Sequence, residues 1–437
     1  MNAFSKSLMM MLALLASSSN TVAKEVPEDA RMPLEELRHF TQVFDQIRQS
    51  YVEEIDDKAL LEMTIRGLLA SLDPHSVYLD KEDFTDLQEH TSGEFGGLGI
   101  EVSMEGGFIK LITPTDDTPA QRAGIQAGDL IIKLDDQLVQ GMNLGEAIEL
   151  MRGPKGSKII LTVVRPNRDG PFEIEIIRDT IQIHSVRSRM LEPGYGYVRI
   201  AQFQENTGSE FTKALQTLLR DNSDLKGLVL DLRNNPGGLL DSSIEVADAL
   251  LDSGLVVYTE GRVATANNQY FATPGDLLNG LPVVALINEG SASAAEIVAG
   301  ALQDHHRALI LGTGSFGKGS VQTVIPLGED RAIKLTTARY FTPSKRSIQA
   351  DGIHPDILVR PAEVHLLESP EQIKEANLSG HLSNEGEKKT VESKNLSQDD
   401  NQLYEALNLL KGLNIFSGLK GVDRTVKDAD GALPSAD

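Results

Sequence analysis

The chain has 437 residues, 40% of them hydrophobic, which is enough for two or three domains around a sizeable core and excludes wholesale disorder. A formal net charge of -23 argues against a nucleic-acid partner, which would call for a basic face. The absence of cysteine excludes a disulfide framework, thiol catalysis and a thiolate metal site.

Residues 1–23 have the layout of a cleaved secretory signal peptide. Lys6 precedes an apolar run over 8–16, and a polar, small-residue stretch ends in the pattern Thr21-x-Ala23. The apolar run is far shorter than the roughly 20 residues needed to span a bilayer, and no cysteine follows it to carry a lipid anchor. The mature chain is therefore expected to be exported and soluble.

Residues 24–92 form an expected N-terminal helical region. Leu34, Leu37, Phe40, Val43, Phe44 and Ile47 recur at helical steps over 34–50, and Leu60, Leu61, Ile65, Leu68 and Leu69 do so over 57–71. Leu72-Asp-Pro-His75 breaks the second helix. Two short helices cannot make a core alone, so they must pack on a neighbour or a second subunit.

Residues 93–180 change character to glycine-punctuated short apolar runs, as over 107–112, 130–134, 159–164 and 172–177, with one helical stretch over 144–151. That predicts a small β-rich domain. From 181 to 360 strand-like and helix-like segments alternate. The run 227–232 leads into a helix over 241–251, and 283–287 leads into one over 294–303, which implies mixed α/β architecture. Residues 361–437 turn polar. A linker is expected over 378–400, followed by a helix carrying Leu403, Leu407, Leu409, Leu410 and Leu413.

The chemistry concentrates at Asn288-Glu-Gly-Ser-Ala-Ser-Ala-Ala-Glu296, a small-residue turn between the last of those strands and its helix. A serine hydroxyl at a helix N-terminus meets unpaired N–H groups and a dipole that favours negative charge. Ser291 and Ser293 both qualify. Serine needs a base. His305 and His306 lie at the far end of the helix, roughly 18 Å along its axis from Ser293, beyond reach. Lys318, flanked by Gly317 and Gly319 with no acid in sequence until Glu329, is the better candidate. Burial would make it a base by lowering its pKa. If Lys318 opens a strand, Gln322 points to the same face and can orient the amine without raising its pKa. Gly312-Thr-Gly-Ser-Phe-Gly-Lys318 imitates a phosphate-binding loop, but Gly319 stands where serine or threonine is required and a strand pattern follows. The turn Asp231-Leu-Arg-Asn-Asn-Pro-Gly-Gly238 supplies a possible oxyanion site, Gly237 or Gly238 N–H together with Ala294 N–H.

Together, Gly290-Ser-Ala-Ser-Ala-Ala-Glu296, Thr313-Gly-Ser-Phe-Gly-Lys-Gly-Ser-Val-Gln322 and Arg233-Asn-Asn-Pro-Gly-Gly238 resemble the C-terminal processing, or tail-specific, proteases. The resemblance covers about residues 35–360. It implies Ser293 rather than Ser291 as nucleophile, Lys318 as general base and Gln322 as its support, on a core related to the crotonase and ClpP folds. Phe95-Gly-Gly-Leu-Gly-Ile100 and Thr118–Asp129 are similar to the PDZ domain this family inserts before its core. That similarity implies tail binding at Gly97, Leu98, Gly99 and Ile100, with an extended peptide adding as a strand. Ala350 departs from the family pattern, which usually carries glycine there.

The expectation is an exported, periplasmic serine endopeptidase needing no metal or organic cofactor. Its partners would be proteins or peptides with exposed C-termini. The resemblance further implies a homo-oligomer, and for some relatives a lipoprotein adaptor and cell-wall hydrolase substrates. Arg152, at the end of the 144–151 helix, is a candidate relay of peptide occupancy; a helix-end cation is the plainer reading. A silent PDZ chaperone and an acyl-CoA enzyme of crotonase ancestry are the competing classes.

Overall fold

The computed structural model describes residues 33–115, 117–166, 168–365 and 396–429, with side chains to 416 at the C-terminus. The expected signal peptide and most of the expected linker lie outside the described residues. No described helix is long and apolar enough to cross a membrane.

The chain divides into two compact units, residues 1–71 and 72–437. The first contains helices α1 (Leu34–Ser50) and α2 (Asp57–Ala70). Asp56 starts α2 by accepting the N–H groups of Lys58 and Ala59, which would otherwise be orphaned.

The second unit opens with β1 (Val77–Leu79) and α3 (Lys81–Ser92), the latter capped by the Asp80 carboxylate. Strand β2 (Glu94–Gly97) follows. A β-rich body then forms from β3 (Ile100–Glu105), β4 (Phe108–Pro114), the short helix α4 (Pro119–Arg122), β5 (Leu130–Leu134), β6 (Gln137–Leu138), α5 (Leu144–Met151), β7 (Lys158–Val164) and β8 (Phe172–Ile177). Its sheet runs β3-β4-β5-β7-β8, with β6 beside β5, so β3 is an edge strand. Ile109, Leu111, Ile131, Ile159, Leu161 and Val163 alternate into its core. Strand β9 (Asp179–Gln182) pairs with β2 in a separate ribbon that leads out of this body.

The remaining chain builds two sheets. One comprises β10 (Val186–Glu192), β11 (Tyr195–Ile200), β12 (Gly227–Asp231), β15 (Val283–Ile287), β16 (Ala308–Gly312) and β19 (Ile357–Leu358), in that order, parallel from β11 onward. Helices α6 (Thr207–Asp221), α7 (Leu240–Asp248) and α8 (Ala294–Asp304) connect its strands. Strands β12 and β15 are buried at every residue, the signature of a sheet covered on both faces. The other sheet was not legible as a unit in the sequence. It is antiparallel, with order β1-β18-β13-β14, made from β13 (Gly254–Gly261), β14 (Asn268–Ala272) and β18 (Ala332–Phe341), and β17 (Ser320–Pro326) pairs with β18. Alternating α/β rhythm thus accounts for only half of this region.

The polar C-terminal segment returns to the core. After α9 (Leu396–Asp399), helix α10 (Asn401–Ala429) buries Leu403, Ala406 and Leu410 in a cluster with Tyr197, Val229, Val284, Leu286 and Leu311 of the parallel sheet, and Leu407 of the same helix is buried too. The opposite face carries the larger cluster around Phe203, Phe211, Val298 and Leu302. Phe211 has no exposed surface, and Phe211→Ala is expected to cost about 3–5 kcal/mol. An unchanged urea midpoint would contradict that packing.

Candidate active site

Strand β15 ends at Ile287, and α8 begins at Ala294 after six intervening residues. The two serines in this turn have different surroundings. Ser291 is fully buried; its hydroxyl donates to the Leu232 carbonyl at 2.8 Å and accepts the Asn288 N–H at 3.0 Å. It fastens the turn to the end of β12. Ser293 lines a cavity of about 540 Å³, and its backbone sits at φ 56°, ψ -115°, a costly conformation for a residue with a Cβ.

A buried carboxylate maintains that conformation. Glu296 has no exposed surface, and its Oε2 accepts the N–H of Ser293 at 2.7 Å and of Lys318 at 2.9 Å. Its Oε1 accepts the Gly317 N–H at 2.7 Å and the Ser315 hydroxyl at 2.6 Å. One side chain therefore ties the serine turn to the lysine loop. The sequence reading found no acid near Lys318, and Glu296 corrects it. A glutamate three residues after a helix start signals only a capping box.

The lysine loop is shaped by close contact with residues 349–352. A Cβ on Gly319 would lie 2.5 Å from the Gln349 nitrogen, and Gly317 adopts φ 91° against the same segment. Ala350 itself sits at φ 64°, a left-handed value that explains why glycine is usual there. Lys318 lines the same cavity as Ser293. Its pKa is lowered, first by burial and then by repulsion from Lys334, against an opposing pull from Glu296. His75, in the turn that precedes β1, is also depressed, by burial and then by Lys318.

Lys318 does not open a strand. Strand β17 begins at Ser320, and its register slips between Val321 and Gln322, so simple alternation does not apply. Gln322 nevertheless lines the cavity. Its amide nitrogen donates to Ser320 Oγ at 2.9 Å and Thr336 Oγ1 at 3.4 Å. Strand β17 follows the lysine where a phosphate-binding loop would need a helix, in keeping with the rejection of that reading. His305 is engaged with the Leu255 carbonyl at 2.7 Å.

Gly237 and Gly238 sit opposite the serine turn. A Cβ on Gly237 would lie 2.7 Å from Ser293 Cβ, and one on Gly238 would lie 2.0 Å from the Phe203 carbonyl oxygen. The Gly237 N–H is taken by Asn235 Oδ1 at 2.9 Å, which corrects its expected availability as a donor. Among the described residues, the N–H groups of Gly238 and Ala294 donate to no protein acceptor, and both residues line the cavity. Tyr340, missed in the sequence, also reaches the cavity. Its hydroxyl donates to the Lys318 carbonyl; burial raises its pKa, with Ser293 as a hydrogen-bond partner pulling the other way.

In the β-rich body, Gly97 belongs to β2, paired with Asp179, rather than to a loop. Gly99 adopts φ 75°, and a Cβ there would meet Thr118 at 2.4 Å. The N–H groups of Leu98 and Gly99 donate to no described residue, and Ile100 opens the edge strand β3. Arg152, just past α5, lies 3.1 Å from Glu89 and 3.6 Å from Asp86 of α3. Leu87, His90 and Thr91 of the same helix line the Ser293 cavity.

Comparisons with known proteins agree on a family. The family model described as "Peptidase family S41" matches residues 194–359, "PDZ domain" matches 113–165, and "Activating protease CtpB N-terminal domain" matches 5–83. A carboxy-terminal-processing protease of Bartonella bacilliformis is 48% identical over 385 residues, covering 86% of this chain and 88% of that one. Carboxy-terminal processing protease CtpA of Bacillus subtilis is 36% identical over 321 residues, covering 72% and 67%. Among solved structures, a photosystem II D1 C-terminal processing protease is 31% identical with a TM-score of 0.44, covering 75% of this chain and 87% of that one.

Glu296→Gln would set an amide NH2 against two donors, whichever oxygen it replaces. The expected cost is about 3 kcal/mol of stability, read from the urea midpoint, and a loss below about 1 kcal/mol would show that the carboxylate is not the tie.

Proposed function

We propose a mechanism for a chain that belongs to peptidase family S41, as a serine-type carboxy-terminal processing protease with a PDZ domain. The observation that carries it is the convergence in one cavity of the Ser293 side chain, a lysine of lowered pKa and two uncommitted N–H groups.

Neutral Lys318 takes the Ser293 proton as the hydroxyl oxygen attacks the scissile carbonyl. The oxyanion receives the N–H groups of Gly238 and Ala294. The Lys318 ammonium then protonates the leaving amine, and the acyl-enzyme forms. Water, deprotonated by the same amine, hydrolyses it. With the Gln322 amide nitrogen already occupied by Ser320 and Thr336, its carbonyl oxygen is left to accept from the lysine. Ser291 has no place in this scheme, since its hydroxyl is consumed by Leu232 and Asn288.

The substrate is a protein with an exposed, apolar C-terminus. Its carboxylate binds the N–H groups of Leu98 and Gly99, and its last residues add to the free edge of β3. Arg152 passes occupancy to the cavity through α3, a reading supported by its proximity to Glu89 and Asp86. Export to the periplasm rests on the 1–23 pattern. A fluorophosphonate probe separates this hydrolase from a silent PDZ scaffold or an acyl-CoA enzyme.

Ser293→Ala should abolish cleavage of an unstructured exported protein, and Lys318→Ala should be nearly as damaging, because the two act as a unit; equal cleavage by wild type and Ser293→Ala would end the proposal. The rate should rise with pH through the lowered Lys318 pKa, since only the neutral amine is a base. Removing the Lys334 repulsion in Lys334→Met stabilises the Lys318 ammonium, so that limb of the kcat/KM profile should move to higher pH. A limb that stays in place would remove Lys334 from the mechanism. In Arg152→Ala, peptide-stimulated cleavage should fall, and unchanged basal and stimulated rates would exclude the relay.

A further inference from the structure

The turn that carries Gly238 is fastened at nearly every residue, and one of those fastenings comes from the far end of the chain. Asn235 is buried, its side chain donating to the Ile200 carbonyl at 2.9 Å while accepting the Gly237 N–H. Asn234 exchanges hydrogen bonds with Asn288 of the serine turn at 2.8 and 2.9 Å. Arg233 is different. Its guanidinium pairs inward with Asp231, Nε to Oδ1 at 3.0 Å and Nη2 to Oδ2 at 2.7 Å. Outward, it pairs with Asp400, Nη1 to Oδ1 at 2.9 Å and Nη2 to Oδ2 at 2.7 Å, and Nη1 also meets Gln402 Oε1 at 3.0 Å.

We propose that Asp400 and Gln402 are positioning residues for the reaction: they hold Arg233 from outside and so set the turn that presents the Gly238 N–H. The proposal rests on the hydrolase reading above. The C-terminal segment is thereby a working part of the catalytic unit as well as a cover for the parallel sheet.

Three observations carry it. The Arg233 side chain is 12% exposed and that of Asp231 is 0% exposed, so the pair sits where salt and water screen it little. The geometry is two-sided and bidentate, the arrangement in which arginine gives direction as well as energy. The outer partners are themselves anchored: Gln402 Nε2 donates to the Val359 carbonyl at 2.7 Å, and Asn401 bridges Arg360 and Ala362. Val359 directly follows β19, and its N–H donates to the Gly312 carbonyl at the end of β16, six residues before Lys318. The tail contact therefore touches the approaches to both the oxyanion turn and the lysine loop.

Asp400→Asn is the incisive variant. An asparagine keeps an acceptor for the Leu403 N–H, which Asp400 now takes at 3.0 Å to start α10, but loses the charged fork on Arg233. In the full-length protein, kcat per fluorophosphonate-labelled site should fall about ten-fold to a hundred-fold, in the range of a displaced oxyanion donor. KM and tail-peptide affinity should stay within about two-fold, because the PDZ body is untouched. Hydrogen exchange in residues 233–239 should quicken about ten-fold or more. Gln402→Ala should shift the same readouts in the same direction by less, and it carries the test if Asp400→Asn is insoluble. Leu407→Ala loosens α10 without touching Arg233; it should lower Tm yet keep kcat per labelled site. Wild-type kcat and unchanged exchange in the Asp400 and Gln402 variants would overturn the proposal, as would an equal kcat loss in Leu407→Ala. If the wild type neither labels nor cleaves, the hydrolase reading fails by itself, and exchange over 233–239 still decides whether the tail holds the turn.

Discussion

A single buried carboxylate joins the two halves of the proposed catalytic site. Ser293 arrives at the end of a parallel strand and Lys318 at the start of an antiparallel one, and nothing in the covalent chain fixes the distance between them. Glu296 does so by accepting two backbone N–H groups from the lysine loop, one from the serine itself and the Ser315 hydroxyl. Because it is fully buried, each lost partner would expose an unpaired donor in a low-dielectric interior. Loss of that carboxylate would therefore loosen the serine turn and the lysine loop together.

That carboxylate also complicates the chemistry it supports. A negative charge close to Lys318 favours the ammonium, the wrong form for the base role proposed for it. Burial and Lys334 push the other way, and the net direction is down. The balance works because Glu296 is already committed to backbone donors and approaches the lysine through its main chain. Lys334 reaches the cavity from β18, a strand whose neighbour β17 carries Gln322. In the proposed mechanism the antiparallel sheet thus supplies the tuning, whereas the parallel sheet supplies the proposed nucleophile and oxyanion donors.

This division explains what could be read in the sequence. Helices α1, α2, α7 and α8 and strands β12 and β15 are locally encoded by apolar period and breakers, and their limits fall within a few residues of expectation. The serine turn and lysine loop were legible because small residues are forced there by close backbone approach, as at Gly237 and Gly319. The choice of Ser293 over Ser291 depended on resemblance, and only the Leu232 carbonyl shows physically why Ser291 is occupied. Tyr340 and Lys334 left no local signal, and Glu296 and Arg233 stood inside recognised motifs with nothing local to show what they pair with. A buried ion or a tyrosine in a strand looks like any surface residue until long-range pairing brings it to the cavity. The same limit hid Gly237: no spacing rule reveals that Asn235 consumes its N–H.

The PDZ helix and the Ser293 cavity both border α3. This helix carries Asp86 and Glu89 toward Arg152 and the end of the PDZ helix, while Leu87, His90 and Thr91 border the cavity. Beyond it, Gly96 approaches the Gly153 carbonyl so closely that a Cβ would lie 2.2 Å away. A shift of the PDZ helix would therefore press on β2 and pull on α3 together. Exposed ion pairs alone are too weak and too well screened to transmit such a shift. The close backbone contact at Gly96 gives them a fixed lever, because packed atoms resist displacement where solvated charges yield. In the proposed relay, the tight glycine contact, more than the arginine charge, would set how firmly tail binding is coupled to cleavage.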